Sequence, residues 1–396
     1  MSEWRQVRLS EVSSLIVDSE HKTAPKDPDG LHPLIRTTDL GKARADFRGA
    51  QRVSAAIHAR WTARAIPSEG DLILAREAPV GGICRVPAEV SPVLGQRTVL
   101  VRPDPAAVDS GFLSYRLAAP DLQARLCEMS TGSTVPHLNM SDIRALTISD
   151  VPSLNTQRRI AMVLSAFDEL IEINERRIEL REDLARSLYR EWFVRFRFPG
   201  HGEVEFVDSE LGPIPHGWEV QRLGEIAQLS YGRSLPASKR HPGPFAVVGS
   251  AGIVGEHDKA LVAGPGIVLG RKGNVGSVWW LNEDFFPIDT TYYVTSDQPP
   301  GFLYWQLSDL HFDNSHAAVP GLSRDHANSL LVICPDQATV RRFGEHHTRV
   351  FNAIAVLRAQ SEALTATRDL LLPRLVTGRL DISDIDLGEL LLSAAA

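Results

Sequence analysis

A long stretch of the chain, residues 156–195, places apolar side chains at alternating steps of four and three residues. No proline or glycine interrupts it, and Glu, Arg and Asp occupy most of the other positions. This spacing predicts a long helix with a continuous apolar seam, as in coiled coils. Asn174 and Arg181 also occupy seam positions, where they would either fix the helix register or be covered by another subunit. The apolar members of the seam are Ile160, Leu164, Phe167, Ile171, Ile178 and Leu188.

The same pattern returns 183 residues further along, where Phe343 corresponds to Ile160. The preceding residues correspond as well, because Pro152 and Arg158 align with Pro335 and Arg341. Two long helices in one register, half a chain apart, predict a duplicated protein. The second seam contains Phe343, Val350, Ile354, Leu357, Leu364, Leu371 and Leu375.

Shorter segments outside the helices repeat in the same order. Residues 70–81 and 266–276 each combine a turn, an apolar run and a second turn, which predicts a buried strand between two loops. The offset falls from 214 to 183 along the chain, which indicates deletions in the loops of the second copy. The other matched segments are residues 4–12 with 218–226, 112–113 with 302–303, and 135–138 with 319–322.

These repeats predict an α+β chain with two pseudo-repeated, β-rich lobes, separated by two long helices that form an antiparallel coiled coil. A helix of about 36 residues would span roughly 54 Å and hold the lobes apart. The alternative is that both helices are ordinary amphipathic core helices of one large domain. Proline and glycine in the connector predict an extended segment that does not pack. The predicted ranges are 1–150 for the first lobe, 151–197 for the first helix, 198–217 for the connector, 218–335 for the second lobe, 336–378 for the second helix and 379–396 for the tail.

Composition narrows the class of protein. The hydrophobic content of 43% suffices for sizeable cores, and no apolar run is long enough to span a membrane. Residues 1–10 are polar and do not resemble a signal peptide. Cys84, Cys127 and Cys334 are scattered, which predicts buried free thiols in a cytoplasmic protein. A net charge of −7 argues mildly against a nucleic-acid binder that acts alone.

Motifs of catalysis are absent from the sequence. The glycine-rich residues 249–255 do not have the spacing of a dinucleotide-binding loop, and residues 266–272 lack the Gly-Lys-Ser/Thr of a phosphate-binding loop. Residues 20–22 contain the Glu-x-Lys of some nucleases, but no Pro-Asp precedes them at a suitable spacing. We therefore expect neither a catalytic nor a metal site, and a protein that recognises rather than transforms its ligand.

Seven segments carry a family resemblance in a fixed order along the chain: residues 132–139, 151–160, 190–196, 211–220, 270–277, 288–293 and 372–382. Together they resemble the specificity (S) subunits of type I restriction–modification systems. One departure is Val340, which stands where the first copy has Gln157.

The resemblance implies a non-catalytic subunit whose two lobes are target-recognition domains, each reading one half of a bipartite site in double-stranded DNA. The helices would set the spacer and dock two methyltransferase (M) subunits, and restriction/translocase (R) subunits could join. No cofactor is expected in this chain. S-adenosylmethionine, ATP and Mg²⁺ would belong to the partner subunits, which could also supply part of the phosphate-binding surface.

DNA-facing residues are expected on loops, where cationic and amide side chains suit phosphate and base contacts. Arg76 and Arg271 stand out because each follows the buried strand of its copy and precedes glycines. For each candidate, the alternative is an ordinary solvated surface residue. An arginine at the position of Arg76 or Arg271 could equally pair with a carboxylate inside its lobe. The candidates are His21, Lys22, Thr23, Arg36, Arg76, Ser133, Thr134 and His137 in the first lobe, and Arg233, Ser234, Lys239, Arg240, Arg271, Lys272, Asn274, His316 and Arg324 in the second.

The sequence leaves two other classes of function open. A two-lobed catalytic DNA enzyme would need an Asn-Pro-Pro-Tyr tetrapeptide or a Pro-Asp…Glu-x-Lys set, and neither occurs in the sequence. A purely structural assembly rod would have no affinity for DNA even beside a methyltransferase.

Overall fold

The computed structural model describes residues 4–43, 45, 47–131, 136–312 and 321–382. The chain divides into two compact units, the first formed by residues 1–173 and 361–396 and the second by residues 174–360. Both long helices contribute residues to both units. The sequence expectation of a mixed α/β chain with sheets and long helices is confirmed.

The first unit is built mainly from antiparallel strands that enclose apolar side chains. Its strands are β1 Arg5–Arg8, β2 Ser13–Asp18, β3 His32–Ile35, β4 Lys42–Ala43, β5 Gln51–Val53, β6 Leu72–Ala75, β7 Ile83–Arg85, β8 Val93–Leu94, β9 Thr98–Pro103 and β10 Thr147–Val151. A five-stranded sheet has the order β2-β9-β6-β7-β4, a three-stranded sheet has the order β5-β3-β8, and β1 pairs with β10. Its shorter helices are α1 Ala55–Trp61, α2 Ser110–Ala118, α3 Pro120–Met129 and α4 Met140–Ala145.

The second unit repeats this arrangement with shorter connections. Its strands are β11 Phe206–Val207, β12 Ile214–Pro215, β13 Glu219–Arg222, β14 Gln228–Tyr231, β15 Phe245–Gly249, β16 Gly252–His257, β17 Gly266–Gly270, β18 Val278–Leu281, β19 Phe285–Pro287, β20 Thr291–Thr295 and β21 Leu331–Cys334. A four-stranded sheet has the order β14-β20-β17-β18, a three-stranded sheet has the order β16-β15-β19, and β13 pairs with β21. Its shorter helices are α6 Leu223–Ile226, α7 Pro300–Asp309 and α8 Arg324–Ser329.

Strand order and direction support the predicted duplication. The order β2-β9-β6-β7 of the first unit corresponds to β14-β20-β17-β18 of the second, and β5-β3-β8 corresponds to β16-β15-β19. One parallel pair also repeats, because β3 pairs with β8 in parallel and β15 pairs with β19 in parallel. The other parallel pair, β4 with β7, occurs in the first unit without a described counterpart in the second. The predicted buried strand after residue 70 is β6, whose four residues are all buried.

The first long helix, α5, spans Leu154–Tyr189 and continues as a π-helical turn, Arg190–Val194. The second long helix, α9, spans Gln337–Leu375. The start of α9 is capped by Asp336, whose carboxylate accepts hydrogen bonds from the backbone N–H and the hydroxyl of Thr339 at 2.9 and 2.7 Å. Such a cap satisfies backbone donors that the first turn of a helix leaves without partners.

Within the first unit, the beginning of α5 lies antiparallel to the end of α9. Arg159 donates to the carbonyl oxygen of Ile382 at 2.8 Å, and nine residues later Asp168 forms an ion pair with Arg368. Ile160 and Leu375 share one apolar core.

Within the second unit, the end of α5 lies antiparallel to the beginning of α9. Glu182 pairs with Arg358 at 2.8 Å, while Tyr189 and Trp192 pack against Phe343. These contacts give the same relative helix direction as in the first unit, considered separately.

Seam residues also pack against their own lobes. Ile160 and Leu164 belong to the core that contains Phe112, and Phe343 belongs to the core that contains Phe302. The helices are therefore core elements of each unit as well as partners of one another. All thirteen predicted apolar seam residues are buried or half-buried.

The connector differs from its prediction. Instead of remaining extended, β11 and β12 form a short hairpin, and Phe198 and Ile214 are buried in the core of the second unit. The ring of Phe198 stacks on Trp218 with centroids 5.1 Å apart. The prediction failed because proline and glycine density signals turns but does not show which of the intervening apolar residues find a core.

The prediction for the cysteines is only partly correct. All three are free thiols, but only Cys84 is buried, while Cys334 is half-buried and Cys127 is exposed on α3. Burial raises the pKa of the Cys84 thiol to about 12, which keeps it protonated. None of the described helices has the length and apolar character to cross a membrane.

Candidate nucleic-acid interface

Both units carry the same closed loop after the central buried strand. In the first unit, Gly81 donates its N–H to Ala75 O at 2.9 Å, and Ala75 donates to Gly82 O at 2.7 Å. In the second unit, Gly276 donates to Gly270 O at 2.9 Å, and Gly270 donates to Ser277 O at 2.7 Å. Gly81 and Gly276 both have positive φ, which L-residues with a Cβ rarely adopt. The loop geometry is therefore equivalent in the two copies.

Each loop begins with the predicted arginine and is fastened to a second segment. The N–H of Leu138 donates to Arg76 O at 2.9 Å, and the N–H of Leu322 donates to Arg271 O at 2.8 Å. Leu138 and Leu322 occupy matching positions in the repeated segments 135–138 and 319–322 of the sequence. Arg76 and Arg271 thus share one backbone environment, as predicted.

In the first unit, Asp18 at the end of β2 brings two predicted residues together. Arg76 forms an ion pair with the Asp18 carboxylate, and His21 Nε2 lies 3.2 Å from the same oxygen. Arg76 is only 15% exposed, so its side chain faces the lobe more than the solvent. The carboxylate-pairing alternative for Arg76 is therefore what the structure shows.

Another predicted arginine in this unit is similarly occupied. Arg36 makes two side-chain hydrogen bonds to Asp39, at 2.9 and 2.7 Å. Burial would raise the pKa of Asp39, but hydrogen bonds from Arg36 and its charge leave that pKa below its usual value. The neighbouring Thr37 donates to Ala78 O at 2.9 Å, which places this turn beside the Arg76 loop.

The remaining candidates of the first unit border the same region. Lys22 and Thr23 are exposed, and the Thr23 hydroxyl lies 3.4 Å from the Gln96 side-chain oxygen. His137 is half-buried and pairs through its backbone with Glu77, next to Arg76. Ser133 and Thr134 lie outside the described residues, as does His316 of the second unit.

In the second unit, two predicted arginines share one aromatic ring. The guanidinium carbon of Arg271 lies 4.9 Å from the centroid of Tyr231, and that of Arg324 lies 5.2 Å from the same centroid. Arg271 also donates to Asp289 O at 3.1 Å and lies 5.8 Å from the ring of Tyr292. Burial and hydrogen bonding to Tyr231 raise the pKa of Tyr292 to about 12. The site is cationic and aromatic at the same place.

Other cationic and polar side chains surround this pair. The N–H of Arg233 donates to Pro287 O at 3.0 Å and that of Lys272 donates to Thr290 O at 3.1 Å, so both flank the loop between β19 and β20. Arg240 is less available, because it donates to Val254 O at 2.6 Å. The exposed candidates of the second unit are Arg233, Ser234, Lys239, Lys272, Asn274 and Arg324.

Two residues of the site are not among those predicted from the sequence. Asp18 is the last residue of β2 and Tyr231 is the last residue of β14, and each contacts a predicted arginine. Their only sequence signal is their position directly before the polar loop.

The chain is similar in sequence to known type I specificity proteins. The model of the family described as Type I restriction modification DNA specificity domain matches residues 1–181. The chain is 24% identical to the type I restriction enzyme MjaIX specificity subunit of Methanocaldococcus jannaschii, over 97% of this chain and 95% of that protein. It is 19% identical to the type I restriction enzyme HindI specificity subunit of Haemophilus influenzae, over 73% of this chain and 81% of that protein.

A solved structure supports the fold. The crystal structure of a type I restriction–modification system S subunit from M. genitalium matches with a TM-score of 0.60 and 18% identity, covering 94% of this chain and 96% of that one. The fold class is thus that of the two-lobed subunits with long helices. Residues 1–181, nearly half of the chain, thus match the type I restriction modification DNA specificity domain, and similarity to specificity subunits extends over almost the whole chain.

Proposed function

We propose that this chain is the sequence-specific DNA-recognition subunit of a type I restriction–modification complex, and that each unit reads one half of a bipartite site. The observation that carries the proposal is the loop scaffold that both units repeat, with an arginine at its first position and polar side chains around it. Arginine and amide groups suit both phosphate contacts and base edges in the major groove. The chain itself performs no catalysis in this proposal.

The two long helices set the spacer between the half-sites and dock methyltransferase subunits. Support for docking comes from Leu180 and Leu184, which are 52% and 60% exposed on α5. Residues four apart share a helix face, so these leucines form an apolar strip. Exposed apolar patches commonly mark protein contacts. Because the chain is duplicated, it would bind two M subunits, and R subunits would join through that complex.

The chemistry of the complex would reside in its partners. S-adenosylmethionine would bind the M subunits, while ATP and Mg²⁺ would serve the R subunits. The net charge of −7 fits this division, because a subunit that binds DNA together with partners need not supply the whole cationic surface.

The experiment that tests the proposal is co-expression of the chain with its methyltransferase subunit, followed by mapping of methylated adenines across the host genome. We expect two short specific blocks separated by a non-specific gap. A continuous motif would contradict the assignment of one unit to one half-site. Methylation that is identical without this chain would contradict a recognition role altogether.

Docking has its own test in Leu184→Glu. We expect this variant to lose co-purification with the methyltransferase, because the carboxylate would be buried in an apolar contact. Phe206→Glu, which alters a comparably exposed side chain on the β11–β12 hairpin, is the matched control and should leave the complex intact. Loss in both variants would show that any added surface charge disrupts the complex.

A further inference from the structure

Asp18 and Tyr231 occupy the same structural position in the two copies. Asp18 is the last residue of β2 and Tyr231 is the last residue of β14. The residue after each donates its N–H to a matching threonine, Ser19 to Thr98 O and Gly232 to Thr291 O, both at 3.1 Å. Because the loop arginines are also equivalent, each copy places its strand-end residue against its loop arginine, Arg76 or Arg271.

The chemistry at this position differs between the copies. In the first unit, Asp18 neutralises Arg76, and both side chains are largely shielded from solvent. In the second unit, Tyr231 is 47% exposed and carries Arg271 and Arg324 on its ring. Among the described residues, no ion pair joins either of these arginines to a carboxylate. One copy thus presents a compensated arginine and the other presents two uncompensated ones.

An ion pair and a ring contact leave an arginine with different capacities. A carboxylate cancels the charge and occupies N–H donors in the plane of the guanidinium. A ring face holds the cation near a fixed place, leaves its charge uncompensated and leaves donors at its edge available. Such donors can bind a phosphate or the O6 and N7 atoms of guanine.

We propose that the strand-end residue is a positioning residue that sets how strongly, and with what salt dependence, each unit holds DNA. Tyr231 orients Arg271 and Arg324 for contact with DNA, so the second unit supplies the stronger and more salt-dependent contact. Asp18 neutralises the charge of Arg76, so the electrostatic attraction between the first unit and DNA is weaker. This inference rests on the proposed function and adds to it an asymmetry between the two half-sites.

The test in the second unit uses Tyr231→Ala and Tyr231→Phe in the full chain, purified with its methyltransferase partner. Affinity for a duplex that carries the mapped motif is measured at several salt concentrations. Losing two ring contacts should weaken binding about tenfold in Tyr231→Ala. Tyr231→Phe keeps the ring and should bind within about threefold of the parent, since the cation–π contact needs only the ring face. Equal weakening in both variants, or none in either, would overturn the positioning role.

The test in the first unit uses Asp18→Asn, which removes the carboxylate charge while preserving its shape. Arg76 should become available to a phosphate, which tightens binding and steepens the salt slope by about one unit. Glu20→Gln is the matched control. It also removes one carboxylate charge, only two residues from Asp18, but the Glu20 carboxylate lies near Arg64 and not near Arg76. Identical effects in the two variants would reduce the result to overall charge and overturn the inference. Asp18→Tyr, which copies the second unit, should also steepen the slope if Asp18→Asn proves poorly folded.

The parent complex separates this inference from the proposed function. If the parent binds the mapped motif no better than unrelated DNA, the proposed function fails and the inference fails with it. If the parent is selective while Tyr231→Ala and Asp18→Asn behave as the parent does, only the inference is wrong.

Discussion

Gln157 shows how one side chain can join a helix start to its lobe. It is fully buried, its side-chain oxygen accepts the N–H of Asp109 at 2.8 Å, and its side-chain nitrogen donates to Pro152 O at 2.8 Å. In the second copy, Asp109 is replaced by Pro299, which has no N–H to satisfy. The corresponding Val340 is fully buried in an apolar core. The departure from the family pattern at residue 340 therefore has a physical reason.

We expect Gln157→Val to destabilise the first unit by about 1–3 kcal/mol, the cost of leaving buried polar groups without partners. Urea unfolding, followed by a probe in that unit, measures the change. Gln337→Val is the control, because Gln337 is an exposed residue at the start of α9 and its replacement should change stability by less than about 0.5 kcal/mol. Equal stability of the two variants would show that the Gln157 hydrogen bonds contribute nothing.

His347 is a second residue whose burial has a measurable consequence. Its ring stacks on Phe351 at 4.0 Å, and a Cβ on residue 301 would lie 2.3 Å from that ring, so only glycine fits there. Among the described atoms, Nε2 of His347 has no hydrogen-bond partner. Burial lowers the pKa of His347 to about 4.

The lowered pKa predicts that the second unit loses stability in mild acid. The unfolded chain takes up the proton below its ordinary pKa of about 6.5, while the folded chain resists it until about pH 4, so stability falls as pH drops through this window. Between pH 7.5 and 5 the loss should be about 2 kcal/mol. His347→Leu should flatten the dependence, measured as unfolding midpoints across that range. His346→Leu, at the neighbouring exposed position, should retain it, and a flat profile in the parent would refute the assignment.

At the scale of elements, the long helices combine a sequence-encoded seam with polar contacts that the seam does not predict. Arg368 occupies a position in the second seam, where an apolar residue is expected, yet it is buried and paired with Asp168. The hydroxyl of Tyr115 donates to the same Asp168 at 2.6 Å, which joins α2 to this helix pair within the first unit. Removing one member of a buried pair is costly, so this network can restrict the helix register there.

The proposed spacer role of the helices predicts the effect of an insertion. Four extra residues between Glu175 and Arg181 add about one turn, or about 6 Å, to α5. We expect a longer gap in the methylated motif or loss of activity, with both specific blocks unchanged. Mapping of methylated adenines measures the result.

A four-residue insertion after Glu210, in the turn of the β11–β12 hairpin, is the control for that experiment. It lengthens the chain without lengthening a helix, so the gap should stay as it is. If the gap changes in both variants, or in neither, the spacer does not depend on the length of the helix.

For the whole molecule, duplication is the organising feature. Each unit has its own apolar cores and repeats the strand order of the other, as expected if one lobe was copied. Because the cores are separate, we expect that a loop can be changed in one unit without unfolding the other.

Modularity of this kind predicts the outcome of a lobe exchange. Under the proposed function, replacing residues 1–150 with the matching lobe of a known type I specificity subunit should change one block of the methylated motif and leave the other block and the gap as they were. Sequencing of methylated adenines in cells that carry the hybrid tests this. Replacement of residues 218–335 is the reciprocal control and should change only the other block, whereas a change in both blocks would contradict one lobe per half-site.

The sequence by itself determined the long helices, the duplication, the buried strands and the loops that follow them. These features follow from local periodicity and from turn-forming residues, which act over a few positions along the chain. The equivalence of Arg76 and Arg271 was predictable for the same reason, because each arginine keeps its place between a strand and a glycine turn in both copies.

Only the tertiary structure decided what those residues contact. Arg76 meets Asp18 from 58 positions away, and Gln157 meets Asp109 from 48 positions away, because the chain folds distant strands and helices together. The same fold places Arg271 against the ring of Tyr231 and not against a carboxylate. It also buries Ile214, which lies in a connector that the sequence predicts to be extended. Ion pairs, ring contacts and burial depend on distances through space, and the spacing of residues along the sequence does not specify those distances.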